Sequence, residues 1–152
     1  AVSVSVAVVS AHAPPPLRAE LLPGVVRWHA GSTDVVVVGG NGGRREVGAS
    51  ATLEALRSAG VASIDLLVLA DEGVDRALVA TIESRHALGA VVVMGSDPVG
   101  VSVPTMLAPR PGAVFDLGDL EVRLITTADR VVVECAARGR PQGTGGMPMR
   151  SR

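Results

Sequence analysis

The chain has 152 residues, 47% of them hydrophobic, which is enough for one hydrophobic core and short for two domains. The formal net charge is -1 and all 14 basic residues are arginine, so no global cationic field gathers nucleic acid, although arginine suits local phosphate recognition. Aromatic content of 1%, from Trp28 and Phe115 alone, excludes the base-stacking platforms of single-strand binders, and the lone Cys135 excludes an internal disulfide or a CxxC zinc or redox motif.

The chain opens on AVSVSVAVVSAHA, an apolar run that is short of the roughly 20 residues a bilayer span requires. It suits the clipped end of a transmembrane helix, a signal-peptide remnant or an ordinary strand, and Pro14, Pro15 and Pro16 then read as a stiff linker. Residues 1–21 are therefore set apart from a domain expected over 22–138. From Val25, VVRWHAG predicts a short alternating strand, Gly31 to Asp34 a turn, and DVVVVGG a strand buried on both faces, the two strands forming a hairpin.

After the glycine-rich NGGRREVG, a helix is expected from about Ser50 to Ala59, with Leu53 and Leu56 on one face and Gly60 as its C-terminal cap. Ile64 to Ala70 predicts a buried strand. A second helix is expected from about Gly73 to Leu88, on the spacing of Val74, Leu78 and Ile82, with Gly89 closing it. Ala90 to Gly95 is the next strand, followed by a proline-punctuated loop. Two more strands are expected near Leu120 to Ile125 and Arg130 to Ala136, with Thr126 to Asp129 turning between them. The glycine, proline and arginine of 139–152 carry no apolar period and read as a disordered tail.

The cluster Gly39 to Gly43 follows a strand and precedes a helix, where a dinucleotide-binding turn would sit. Arg45 stands where the third glycine of such a fingerprint is needed, so a plain turn is the stronger reading and nucleotide binding an alternative. Asp71, Glu72 and Asp75 sit at the carboxyl end of a strand. Together they would suit only a hard cation such as magnesium. Stabilising the positive end of the following helix explains them more simply. His12, His29 and His86 share no ligand spacing, and His86 suits the last turn of a helix. The setting of Cys135, VVVECAA, is that of a strand with an inert, buried thiol.

The order of hairpin, helix, buried strand, acidic turn, helix, strand, loop and hairpin resembles the first half of a metallo-β-lactamase fold. More narrowly, it looks like the C-terminal domain of ComEC-type competence proteins, the membrane channels of bacterial DNA uptake. The resemblance covers about Leu22 to Ala137 and rests on DVVVVGGNGG, LEALRSAGVASIDLLVLADEGVDRA and GAVFDLGDLEVRLI. It implies an α/β fold, with a mixed sheet and flanking helices.

In active members of that family the metal motif reads T-H-x-H-x-D-H. Set on this chain, Ala70 stands for the threonine, Asp71 and Gly73 for the first two histidines, Asp75 for the aspartate and Arg76 for the last histidine. Only Asp75 matches. Glycine supplies no ligand and arginine brings a charge that repels a dication, so the resemblance implies a domain with no bound metal, no cofactor and no catalytic residue.

It also implies a membrane-attached and extracytoplasmic domain, belonging to a larger channel protein, with single-stranded DNA as a partner. Arg44, Arg45, Arg76 and Arg110 are the expected phosphate contacts. Two other functions stay open from the residues: a hydrolase using Asp71, Glu72 and Asp75, and a nucleotide-binding domain using the glycine cluster.

Overall fold

The computed structural model describes residues 16–39, 48–70, 77–94, 102–107, 110, 112–126 and 131–138. Over these residues the chain is a mixed α/β fold, made mostly of strands. One sheet has six strands side by side in chain order: β1 (Leu17–Leu22), β2 (Val25–Ala30), β3 (Thr33–Val38), β4 (Ser63–Leu69), β5 (Ala87–Val93) and β6 (Thr105–Leu107). The first three run antiparallel, and β3 to β6 run parallel. Helices α1 (Ala49–Ser58) and α2 (Leu78–Glu83) lie between β3 and β4 and between β4 and β5 in the chain. A second, antiparallel sheet joins β7 (Val114–Asp116), β8 (Leu120–Thr126) and β9 (Val131–Ala137).

Two cores explain why the central strands are nearly continuous in apolar residues. Val36, Val38, Leu67, Leu69, Val91 and Val93 face one way and pack with Leu56 of α1 and with Leu78, Val79 and Ile82 of α2. Val35, Val37, Leu66, Val68 and Val92 face the other way and pack against Leu120, Val122 and Leu124 of β8. All six residues of β3 are buried, as a strand covered on both faces requires. On β8 Leu120, Val122 and Leu124 are buried on one face and alternate with the half-buried Glu121 and Arg123.

The expected β2–β3 hairpin forms, with Val25 opposite Val38 and Ala30 opposite Thr33. The expected first helix forms too, and its end shows why Gly60 is there. The Val61 N–H donates to the Leu56 carbonyl and the Gly60 N–H to that of Arg57, both at 3.0 Å. This closure needs the left-handed backbone that Gly60 adopts, at φ 71°. At the other end the hydroxyl of the fully buried Thr52 donates to the Gly48 carbonyl at 2.9 Å, satisfying a polar group inside the core.

Four elements differ from the sequence expectation. The helix expected from Gly73 to Leu88 is helical over Leu78–Glu83, and its first residues, 73–76, lie outside the described residues. Its end is earlier because Ala87 and Leu88 pair with Ser63 and Ile64 in the parallel ladder. The Ser84 hydroxyl donates back to the Thr81 carbonyl at 2.7 Å as the helix stops. Gly89 therefore lies inside β5 rather than closing a helix. Leu17–Leu22, all but its last residue placed in the 1–21 apolar and linker segment, is strand β1 on the outer side of β2, where Arg18 lies over the Trp28 ring at 5.8 Å. Thr105–Leu107 and Val114–Asp116, within and just after the proline-rich loop, are strands β6 and β7.

The position of Gly89 has a structural reason. A Cβ there would lie 2.6 Å from the Asp65 carbonyl oxygen, a backbone atom of the neighbouring strand. Gly89→Ala is expected to lower stability by about 1–3 kcal/mol, the usual range for overpacking. The midpoint of a urea titration checks this, and an unchanged midpoint would show that β4 and β5 separate freely at that point.

The two sheets are also tied at their turns. The Ser32 N–H donates to Asp119 Oδ2 at 3.1 Å, and the Thr33 hydroxyl donates to the Leu117 carbonyl at 3.2 Å. Gly31 adopts a left-handed φ of 58°, and a side chain there would displace the Asp119 carboxylate.

Candidate functional site

The parallel strands β3, β4 and β5 end side by side at one edge of the sheet. The Ala70 N–H donates to the Val38 carbonyl at 2.8 Å, and the Met94 N–H donates to that of Leu69 at 3.1 Å. Each strand is therefore followed for one residue beyond its end by its neighbour. Gly39, at φ 93°, donates its N–H to the Gly24 carbonyl at 2.7 Å. From this edge the chain enters 40–47 after β3, 71–76 after β4 and 95–101 after β5. Ala70 and Leu78, on either side of the acidic stretch, are both buried.

Arg44, Arg45, Asp71, Glu72, Gly73, Asp75 and Arg76 lie outside the described residues, as do Gly40 to Gly43 and His12. Arg110 is described and exposed. Its carbonyl accepts the Ala113 N–H at 3.0 Å in the turn before β7.

Among the described residues no three of histidine, cysteine, aspartate and glutamate gather as metal ligands. A polar cluster lies at the opposite edge, where the parallel strands begin. Asp34 is buried, with its Oδ1 accepting from Arg27 Nε at 2.7 Å and lying 3.0 Å from His29 Nδ1. The Arg27 guanidinium also donates to the Ala59 carbonyl at the end of α1, at 3.3 Å, and the Asp34 N–H donates to Asp65 Oδ2 at 2.8 Å. One carboxylate thus links β2, β3 and the C-terminal end of α1, where helix carbonyls lack partners. It is a structural clamp. The spacing of His29 gave no sign of it because His29 and Asp34 become neighbours only across the hairpin.

Cys135 lies on β9 opposite Val122 and packs against the second core. Burial pushes its thiol from 9.0 up to about 12. The native protein is expected to react slowly with iodoacetamide near pH 8 and fully once unfolded. Stability should also fall as pH rises above about 9, because the unfolded thiol then releases a proton that the folded one keeps. Rapid native labelling, read by intact mass, would contradict this burial.

A feature that the sequence did not bring together is a groove of about 670 Å³ between α1 and the turn from α2 to β5. Arg57, Arg85 and His86 line it, with Leu53 and Val61. His86, expected in the last turn of the second helix, lies three residues beyond the end of α2, with its N–H donating to the Ile82 carbonyl at 2.8 Å.

No protein-family model matches the chain, and no curated protein matches it significantly.

Proposed function

We propose that the chain is a non-catalytic accessory domain of a membrane DNA-uptake protein, a degenerate metallo-β-lactamase-like module that is structural or contacts DNA. What carries this reading is the course of the chain at the carboxyl edge. The stretch set against the family's metal motif begins directly after Ala70, next to the ends of β3 and β5. Strand ends of this kind are where open α/β sheets position their chemistry. Here the stretch offers Asp71, Gly73, Asp75 and Arg76 in place of the histidine-rich set. The layering supports the reading as well, with helices on one face of the mixed sheet and a second sheet on the other.

Contact with DNA would come from Arg44 and Arg45, which follow β3 in the chain, and Arg76, which follows β4, while Arg110 sits in the turn before β7. Phosphate contact needs no aromatic platform, which suits a chain with so few aromatic residues. No helix among the described residues is long and apolar enough to cross a membrane. Attachment to the membrane, on its outer side, is assigned to the apolar N-terminal segment and to the rest of the channel protein.

The test is binding of oligothymidylate at low salt. Changing Arg44, Arg45 and Arg76 together to alanine should weaken it and reduce the dependence of log affinity on log salt by about 2, at roughly 0.7 per phosphate on a single strand. Unaltered affinity and slope would end the DNA role. Stoichiometric metal in the purified protein, with phosphodiesterase activity, would replace this reading with a hydrolase built on Asp71, Glu72 and Asp75.

A further inference from the structure

We propose that the groove between α1 and the α2–β5 turn binds a phosphate-type oxyanion between Arg57 and Arg85. The groove is lined by residues other than Arg44, Arg45 and Arg76, and the proposal does not depend on them. Arg57 stands in the last turn of α1, and Val61 follows that helix just before β4. Arg85 and His86 follow α2 just before β5. These residues therefore meet at the edge where the parallel strands begin, the end of the sheet opposite Ala70 and Met94.

The chemistry of the lining favours an anion. Two guanidiniums and an imidazole face a groove with Leu53 and Val61 among its apolar walls, against one carboxylate, Glu54. Among the described residues neither guanidinium forms an ion pair, whereas Arg27, Arg123 and Arg138 each have a carboxylate partner. Guanidinium forks match phosphate oxygens with paired donors, and two forks from different elements select an oxyanion that presents several oxygens. The Ala59 carbonyl at the negative end of α1, which would repel such a ligand, already accepts from Arg27. Glu54 also lines the groove, and its carboxylate opposes the anion.

The oxyanion is the shared chemistry of a free phosphate ester and of a nucleic-acid backbone, and two probes separate these sources. Inorganic pyrophosphate and a short oligothymidylate are titrated into the full chain, with the amide resonances of Val61, Ala62, Arg85 and His86 followed by NMR. Pyrophosphate at millimolar concentration should move these signals. Arg57→Ala with Arg85→Ala should raise the dissociation constant by at least about tenfold, the loss expected when paired charge-assisted bonds are removed.

Glu54→Gln should tighten binding about two- to threefold by removing a like charge. This variant keeps the proposal testable if the arginine variant does not fold. If oligothymidylate moves the same signals more tightly than pyrophosphate, the ligand is a nucleic-acid backbone. If only pyrophosphate acts, it is a small phosphate ester. Silence of these amides to both probes would overturn the proposal, as would shifts that persist unchanged in the double arginine variant or binding weakened by Glu54→Gln.

Discussion

Leu67→Ala and Leu66→Ala are each expected to cost about 2–5 kcal/mol, the range for emptying a fully buried leucine site. Domains of this size are stable by roughly 5–15 kcal/mol in total, so either change removes a large share. Both residues are essentially inaccessible and stand next to each other on β4, the strand between β3 and β5. They point to opposite faces, Leu67 toward α1 and α2 and Leu66 toward β8. The two losses should therefore be similar in size and different in place. Hydrogen exchange should quicken first in α1 for Leu67→Ala and first in β8 and β9 for Leu66→Ala. A cost below about 1 kcal/mol for Leu66→Ala would show that the second sheet does not form a core with the first, since an unfilled leucine site in a packed interior cannot be that cheap.

The parts of this fold that were legible in the sequence are those whose apolar spacing has one interpretation. The valines of 35–38 are too continuous for a surface strand, and Leu53, Leu56 and Gly60 mark both the inner face and the end of α1. Val25 to Val38 is a hairpin because its turn falls at Gly31. The parts that were not legible depend on partners distant in the chain. In Leu17–Leu22 four of six residues are exposed, so the segment shows no buried face and is a strand only because β2 offers it an edge. Ala87 and Leu88 read as the last helical residues before a closing Gly89, and the parallel ladder to Ser63 and Ile64 overrides that reading. The three residues of β6 follow Pro104, and a proline marks a loop until the Pro104 carbonyl is seen accepting the Val91 N–H at 2.9 Å.

The candidate site divides in the same manner. The sequence located its stretches by their glycines and acidic residues, and the sheet order explains why two of them leave from one edge: β3 and β4 are parallel neighbours. The cationic groove was not legible, because Arg57 and Arg85 are far apart in the chain and each reads as an ordinary charge at a helix end. They share a groove only because α1 and α2 pack on the same face of one sheet.

Asp34→Ala is expected to destabilise the chain by about 3 kcal/mol, the lower part of the range for breaking a buried ion pair by removing one partner. The size follows from what is left behind. Arg27 is only 20% exposed, and without Asp34 its charge has the Ala59 carbonyl alone. Removing the charge as well should recover part of the loss, so Arg27→Met with Asp34→Ala is expected to be more stable than Asp34→Ala by itself. Asp34→Asn keeps an acceptor oxygen for Arg27 and His29, and should fall between Asp34→Ala and the unaltered protein. The backbone N–H of residue 34 still reaches Asp65 in every variant, so the differences isolate the carboxylate. A double variant no more stable than Asp34→Ala would mean that the guanidinium finds water when its partner goes, and that the clamp holds α1 to the hairpin by shape rather than by charge.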